Sequence, residues 1–332
     1  MANFKIALVA MDAPELPGWV SKHFEEAGYD FVFEECTTRE EVERVAGDAD
    51  IVWLLSGSRC LHGNLDVLKR CGAIIRTGSG TDNVPVAEAT ERGIVVANTP
   101  AAIADTVAEH AIGLLFAVTR KIAFHNELVH RGVWDRECNA PKHHIQGQTL
   151  GLVGFGHIAR RVAAKMRGFE LRVLVFDPYV DEQVIVEAGA EKAELDEVLS
   201  QADYVSVHTP LMDSTHGLIG VRELALMKPT GVLINTSRGP VVDELALYEA
   251  LKEQQIAGAG LDVLEEEPPP KDNPLFGLKN VVLTPHIAPE SDIELEMLWK
   301  FSAETATDLA EGRLPRSYVN PAVKPRWNLA GR

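Results

Sequence analysis

The stretch Thr149-Leu150-Gly151-Leu152-Val153-Gly154-Phe155-Gly156-His157-Ile158-Ala159-Arg160 decides how the rest of the chain reads. Its opening TLGLVGF forms a largely apolar run of strand length. From Ile158 onward, IARRVAAKMRG has the apolar period of a helix. The turn between them is G-x-G-x-x-A, a weak signal alone that gains force from a strand before it and a helix after it. Gly154 allows the tight turn. Gly156 lets the backbone approach a pyrophosphate at the helix N-terminus, and Ala159 is small enough for close helix–strand packing. The next strand pattern, Arg172–Asp177, ends in Asp177, 23 residues beyond Gly154. A carboxylate there suits the ribose hydroxyls of a dinucleotide and repels an added 2′-phosphate, so NAD is expected rather than NADP.

The pattern continues in both directions. Strands are expected at Phe4–Ala10, Tyr29–Phe33, Asp50–Leu55, Ala73–Gly78 and Ile94–Asn98. A later series is expected at Asp203–His208, Gly231–Thr236, Ile256–Val263 and Asn280–Pro285, with charged helical segments between. Such alternation implies parallel sheets covered by helices on both faces. Ala101–Arg131 reads as one long linking helix, broken at most once, and a last helix spans about Glu290–Glu311. The expected organisation is therefore a dinucleotide domain, 101–287, inserted into a smaller α/β domain, 1–100 with 288–332.

The 332 residues are 46% apolar and 24% charged, an ordinary globular balance. A net charge of −17 disfavours nucleic acid and anionic membranes as partners. The longest apolar run, Ala111–Val118, falls well short of the ~18 residues of a membrane helix. Lys5 stands alone before IALVAM, and no signal peptide is expected. Cys36, Cys60, Cys71 and Cys138 lack C-x-x-C spacing, so free thiols and a cytoplasmic location are expected.

Three later strand ends carry polar residues: Arg238 in NTSRGP, Asp262 and Glu267 in LDVLEEEP, and His286 in LTPHIA. Ligands of doubly wound sheets bind outside the carboxyl ends of the strands. Beside a nicotinamide, this set suits hydride transfer at a 2-hydroxy or 2-oxo acid. Imidazole supplies or takes the carbonyl proton. A carboxylate fixes the imidazole tautomer and favours imidazolium. The arginine fork pairs with the substrate carboxylate. Composition alone leaves open which of Glu265, Glu266 and Glu267 faces inward. His143 and His144 lack further ligands at metal spacing, so no metal is expected. His208 and His216 read as structural or cofactor-adjacent.

On RTGSGTDNV, ANTPAAIADTVAEHA, GLVGFGHIAR, VHTPLMDSTHGLIG, ALMKPTGVLINTSRGPVVDE, AGAGLDVLEEEPP and NVVLTPHIA, the chain resembles the D-isomer-specific 2-hydroxyacid dehydrogenase family from about Ala73 to Pro321. Within it, VLEEEPPP and NPLF are most similar to the branch of C-terminal binding protein and its bacterial dehydrogenase relatives. The resemblance implies a Rossmann-type doubly wound NAD domain inserted into a flavodoxin-like α/β substrate domain. It implies Arg238, Glu267 and His286 as catalytic residues. His157 and Ile158 would meet the pyrophosphate, with Gly154 and Gly156, and Asp177 the adenosine ribose. Thr106, Thr209, Thr236 and Asp262 would line the nicotinamide half, and Ser79 and Gly80, with Arg238, would hold the substrate. It further implies a homodimer through the NAD domain and a small-molecule substrate.

The activity implied is an NAD-dependent D-2-hydroxyacid dehydrogenase or 2-oxoacid reductase, with 3-phosphoglycerate or glyoxylate and hydroxypyruvate as alternative substrates. Formate dehydrogenases carry Gln at the place of Glu267. The other reading is an NAD(H)-sensing, corepressor-like interaction protein. Arg59 and Arg76 are candidates for a second anionic group of the substrate. Pro289 and Glu290 stand where the family shows small residues, and no regulatory extension is expected after the last helix.

Overall fold

The computed structural model describes residues 4–11, 15–55, 57–136 and 144–330. Ser56, Cys138 and His143 lie outside them. The chain forms two compact units, Met1–Ile103 with Ser291–Arg332, and Ala104–Glu290.

The first unit begins β1 (Lys5–Ala10), α1 (Gly18–Glu26), β2 (Asp30–Glu35), α2 (Arg39–Ala46), β3 (Ile51–Leu54), β4 (Ala73–Arg76), α3 (Val86–Glu91) and β5 (Val95–Asn98). Helix α2 starts where the sequence provides a capping box: Thr38 accepts from Glu41 N–H, and the Glu41 carboxylate accepts from Thr38 N–H. All strands pair in parallel in the order β2-β1-β3-β4-β5, the flavodoxin-like order. Every residue of β3, β4 and β5 is buried, which is why they read as mainly apolar runs rather than alternating ones, with only Arg76 and Asn98 polar at the carboxyl ends of β4 and β5. One face packs on Val42 and Val45 of α2, the other on Val20 and Phe24 of α1.

A 3₁₀ turn, Pro100–Ala102, ends this part of the first unit, and the second unit opens with α4 (Ala104–Thr119) and α5 (Ile122–His130). The linking segment breaks at Lys121, which takes a left-handed φ of 55°, and not at Gly113. There follow β6 (Thr149–Val153), α6 (His157–Met166), β7 (Arg172–Phe176), α7 (Glu182–Glu187), β8 (Glu191–Lys192), α8 (Leu195–Gln201), β9 (Tyr204–Val207), α9 (Val221–Leu226), β10 (Val232–Asn235), α10 (Glu244–Lys252), β11 (Gly258–Leu261) and β12 (Val281–Leu283). They form one parallel seven-stranded sheet, β12-β11-β10-β9-β6-β7-β8. The order reverses between β6 and β9, which makes the crevice at their carboxyl ends the binding position of a doubly wound fold. Strand β8 escaped the sequence reading, because its two exposed residues at the sheet edge carry no apolar pattern. The small residues of β11 have a packing cause: a Cβ on Gly260 would lie 2.9 Å from Leu114 of α4. Helix α4 thus lies on the sheet of this unit.

The chain then returns to the first unit as α11 (Glu294–Ala310), whose Trp299, Ala303 and Ala306 complete the core on the α1 face. Ser302 of α11 meets Thr77, and Thr77 accepts from Trp53 Nε1 at 2.6 Å. The helix starts later than its sequence pattern suggests, because Glu290 N–H closes a turn onto Ile287 C=O.

Candidate active site

The phosphate-binding turn is built as its glycines require. Gly154 has φ 94°, and a Cβ there would come within 2.9 Å of the His208 backbone, so no other residue fits without displacing the His208–Thr209 backbone that follows β9. A Cβ on Gly156 would meet nothing within 4 Å. That open space lies at the start of α6, where Gly156 is the N-cap and no side chain caps the helix among the described residues. His157 and Ile158 follow as its first two residues, and Ala159 is buried against the sheet. Burial, with Arg160 and Arg161 nearby, lowers the His157 pKa.

Asp177 does more than its spacing suggests. Its Oδ2 accepts from Phe155 N–H at 2.8 Å, and its Oδ1 accepts from Tyr179 and Val180 N–H at 2.9 and 3.2 Å. A carboxylate offers about four lone-pair sites, so one acceptor position is left for a hydroxyl.

Along the carboxyl edge of the sheet, β9 leads to Thr209 and β10 to Thr236. Both Oγ1 atoms are buried without a hydrogen-bond partner among the described residues. An unmade hydrogen bond of this kind costs about 1–3 kcal/mol. Two orphaned hydroxyls following neighbouring strands of the same sheet edge fit a polar ligand that supplies the missing partners, and a dinucleotide has the size and polarity to do so. Thr106 is half-buried on α4.

The polar strand ends assemble as follows. His286 Nδ1 lies 2.6 Å from Glu267 Oε2, while Glu267 Oε1 accepts from Leu264 N–H at 3.1 Å. This settles which glutamate of the acidic run faces the imidazole. Glu265 instead has its N–H on Glu244. Burial pushes the Glu267 carboxyl up, but His286, Leu264 N–H and the Arg238 charge outweigh it and hold the carboxyl below its usual range. Arg238 is half-buried and donates to the Ser237 carbonyl at 2.8 Å. Its own carbonyl is held by Asn235 Nδ2 at 3.0 Å.

Two features of this corner were not legible in the sequence. Gly239 packs directly on the segment leading to Glu267: a Cβ would sit 1.8 Å from the Leu264 carbonyl oxygen. And His286 itself adopts φ 56°, a left-handed conformation costing a non-glycine residue roughly 1–2 kcal/mol. Asp262 supports it. Only 1% exposed, Asp262 accepts from Thr284 Oγ1 at 2.6 Å, Ile287 N–H at 3.0 Å and Ala288 N–H at 2.8 Å. It is therefore largely committed to the loop that carries His286.

The remaining expected residues divide between the two units. Ser79 and Gly80 are in the first unit, half-buried, where Asn98 Nδ2 holds the Ser79 carbonyl at 2.7 Å. Arg76 is only 7% exposed and donates to the Thr77 carbonyl at 2.6 Å and to Asn83 at 3.2 Å. It braces that loop rather than presenting itself to a second anion, whereas Arg59 is exposed. His208 sits by the phosphate turn, 2.9 Å from Ser206 Oγ, and His216 is exposed. Among the described residues, no group of three or more His, Cys, Asp or Glu is placed to hold a metal ion. No helix there is long and apolar enough to cross a membrane.

A doubly wound sheet with an open glycine turn, an Asp at the next strand end and polar residues on one carboxyl edge defines a dinucleotide-binding oxidoreductase class. Residues 112–288 match the model of the D-isomer specific 2-hydroxyacid dehydrogenase NAD-binding domain. The chain is 42% identical over 247 residues to a glyoxylate reductase of Korarchaeum cryptofilum, covering 74% of each protein. It is 37% identical over 293 residues to a D-3-phosphoglycerate dehydrogenase of Methanocaldococcus jannaschii, covering 88% of this chain and 56% of that relative's length. The crystal structure of an Aquifex aeolicus D-lactate dehydrogenase complexed with NAD and lactic acid superposes with a TM-score of 0.77 at 26% identity, covering 92% of this chain and 96% of that one. The chain belongs to the D-isomer specific 2-hydroxyacid dehydrogenase family, oxidoreductases acting on a CH–OH group with an NAD-binding domain.

Proposed function

We propose that the protein is an NAD-dependent 2-oxoacid reductase, the reverse reaction being oxidation of a D-2-hydroxy acid, with His286 as general acid/base. The observation that carries this reading is the 2.6 Å contact of His286 Nδ1 with Glu267, on the sheet edge that also holds the two unpartnered threonine hydroxyls. NADH held on this edge would supply the hydride that C2 of a 2-oxo acid accepts. The Nδ1 contact leaves Nε2 of His286 to give its proton to the carbonyl oxygen, and Glu267 stabilises the imidazolium that precedes this step. Arg238 pairs with the substrate carboxylate and polarises the carbonyl. Ser79 and Gly80 are assigned to substrate binding. Gly154, Gly156, His157 and Ile158 would take the pyrophosphate and Asp177 the adenosine ribose. Thr106, Thr209, Thr236 and Asp262 would line the nicotinamide half.

Glyoxylate and hydroxypyruvate are the substrates proposed first, supported by the glyoxylate reductase named above; 3-phosphoglycerate is second. NAD is preferred over NADP in this reading because Asp177 is a carboxylate at the ribose position. We also assign a homodimer formed through the NAD unit, supported by the exposed apolar side chains Ile122, Val129 and Trp134 at and after α5.

The test is NADH oxidation with glyoxylate, hydroxypyruvate, pyruvate and bulkier 2-oxoacids, repeated with His286→Ala. The expected result is turnover that the variant loses while still binding NADH. NADH binding without reduction of any acid would remove the reading in favour of a nucleotide-sensing protein.

A further inference from the structure

We propose that His110 is a positioning residue for His286, acting through the Thr284 hydroxyl and Asp262; this rests on the reading of His286 as the proton donor. His110 stands on α4, and its Nε2 lies 2.9 Å from Thr284 Oγ1 and 3.4 Å from Asp262 Oδ1. Thr284 Oγ1 in turn lies 2.6 Å from Asp262 Oδ1. A threonine hydroxyl carries one hydrogen, and a carboxylate can only accept it. The short Thr284–Asp262 bond therefore uses that hydrogen, and the contact with His110 requires the hydrogen on Nε2. The chain of donation runs one way, from His110 to Thr284 to Asp262.

Its end point is the loop that sets His286. The Asp262 side chain accepts the N–H groups of Ile287 and Ala288, and its backbone carbonyl accepts the His286 N–H at 2.7 Å. Three consecutive N–H groups of the loop are thus tied to one buried residue, and between those ties His286 holds its left-handed φ of 56°. A backbone conformation that disfavours side chains persists only when its surroundings over-determine it. His110 does this by fixing which way the Thr284 hydroxyl points. Without it, the hydroxyl is free to turn from Asp262, and the loop is free to relax toward negative φ. The imidazole of His286 would then leave the alignment in which it meets Glu267.

The experiment compares His110→Leu, which keeps bulk without a donor, with His110→Gln, whose amide N–H restores one. Turnover with glyoxylate and NADH is read beside the NADH KM and the melting temperature. His110→Leu is expected to lose about tenfold in kcat, the factor that one hydrogen bond of about 1.4 kcal/mol makes. Its NADH KM should stay within about twofold, because the α6 turn and Asp177 are untouched, and His110→Gln should recover most of the loss. Independently of activity, two-bond ¹⁵N–¹H spectra of histidine-labelled wild-type protein at alkaline pH should show His110 with its hydrogen on Nε2. A hydrogen on Nδ1 alone, wild-type kcat in His110→Leu, or a Gln variant no better than the Leu variant at equal melting temperature would each overturn the proposal. Retained turnover in His286→Gln would instead sink the assignment of His286, with the His110 spectrum still deciding the donation chain.

Discussion

Gly239→Ala is the sharpest single perturbation of the proposed site. The added Cβ would lie 1.8 Å from the Leu264 carbonyl oxygen and 2.5 Å from Glu265 N, both backbone atoms. Real Cβ contacts essentially never fall below 3.0 Å, so the two segments must separate by at least about 1.2 Å. One segment places Arg238, immediately before Gly239; the other leads to Glu267. A displacement of about 1 Å in a catalytic constellation costs on the order of a hundredfold in rate. Overpacking of this kind costs about 1–3 kcal/mol of stability, so the variant should still fold. The assay is kcat/KM for glyoxylate with NADH, beside urea unfolding and NADH binding by fluorescence. The expected result is a loss of about a hundredfold in kcat/KM with NADH binding within a few-fold of wild type. Activity within about threefold of wild type, in a folded variant, would refute the inference that this contact sets the spacing of Arg238 and Glu267.

Three further outcomes are expected. Thr236→Val removes a buried hydroxyl that has no partner among the described residues, so the cofactor-free protein should gain about 1 kcal/mol in urea unfolding while NADH binds about tenfold more weakly; unchanged affinity would show that the hydroxyl does not serve the cofactor. Burial holds the His208 pKa down to about 4, against 6.5 for the ordinary side chain. A histidine with a depressed folded pKa contributes stability that is full above the unfolded value and is lost as pH falls toward the folded one. The unfolding free energy should thus drop by about 2 kcal/mol more between pH 7 and pH 4.5 in wild type than in His208→Gln, and equal slopes would contradict this. Asp177→Ser should narrow the preference for NADH over NADPH by about tenfold or more, measured as a ratio of kcat/KM values, and an unchanged ratio would place the discrimination elsewhere.

Much of the fold is legible in short stretches. The strand, turn and helix around Gly154 follow from neighbours a few residues apart. So do the capping box at Thr38 and Glu41 and the apolar runs of β3 to β5. Strand β8 is not legible, since Glu191 and Lys192 pair at an exposed edge with no apolar face to mark them. The start of α11 is misread because a turn at Ile287–Glu290 competes with a helix-like composition.

For the candidate site, the sequence by itself determined the residue types and their strand-end positions: a glycine turn, Asp177, Arg238, an acidic run and His286. Composition left the choice among Glu265, Glu266 and Glu267 open and only the resemblance implied Glu267, because the choice is made by a hydrogen bond to His286, 19 residues away in Glu267's case. Nor could it show that Arg76 is spent inside its own unit, that Gly239 must touch Leu264, or that His110 reaches Thr284 across 174 residues. Local pattern depends on backbone preferences and on burial period, which near neighbours set. Partner choice depends on which strand ends the parallel sheet brings side by side, and only the folded chain decides that.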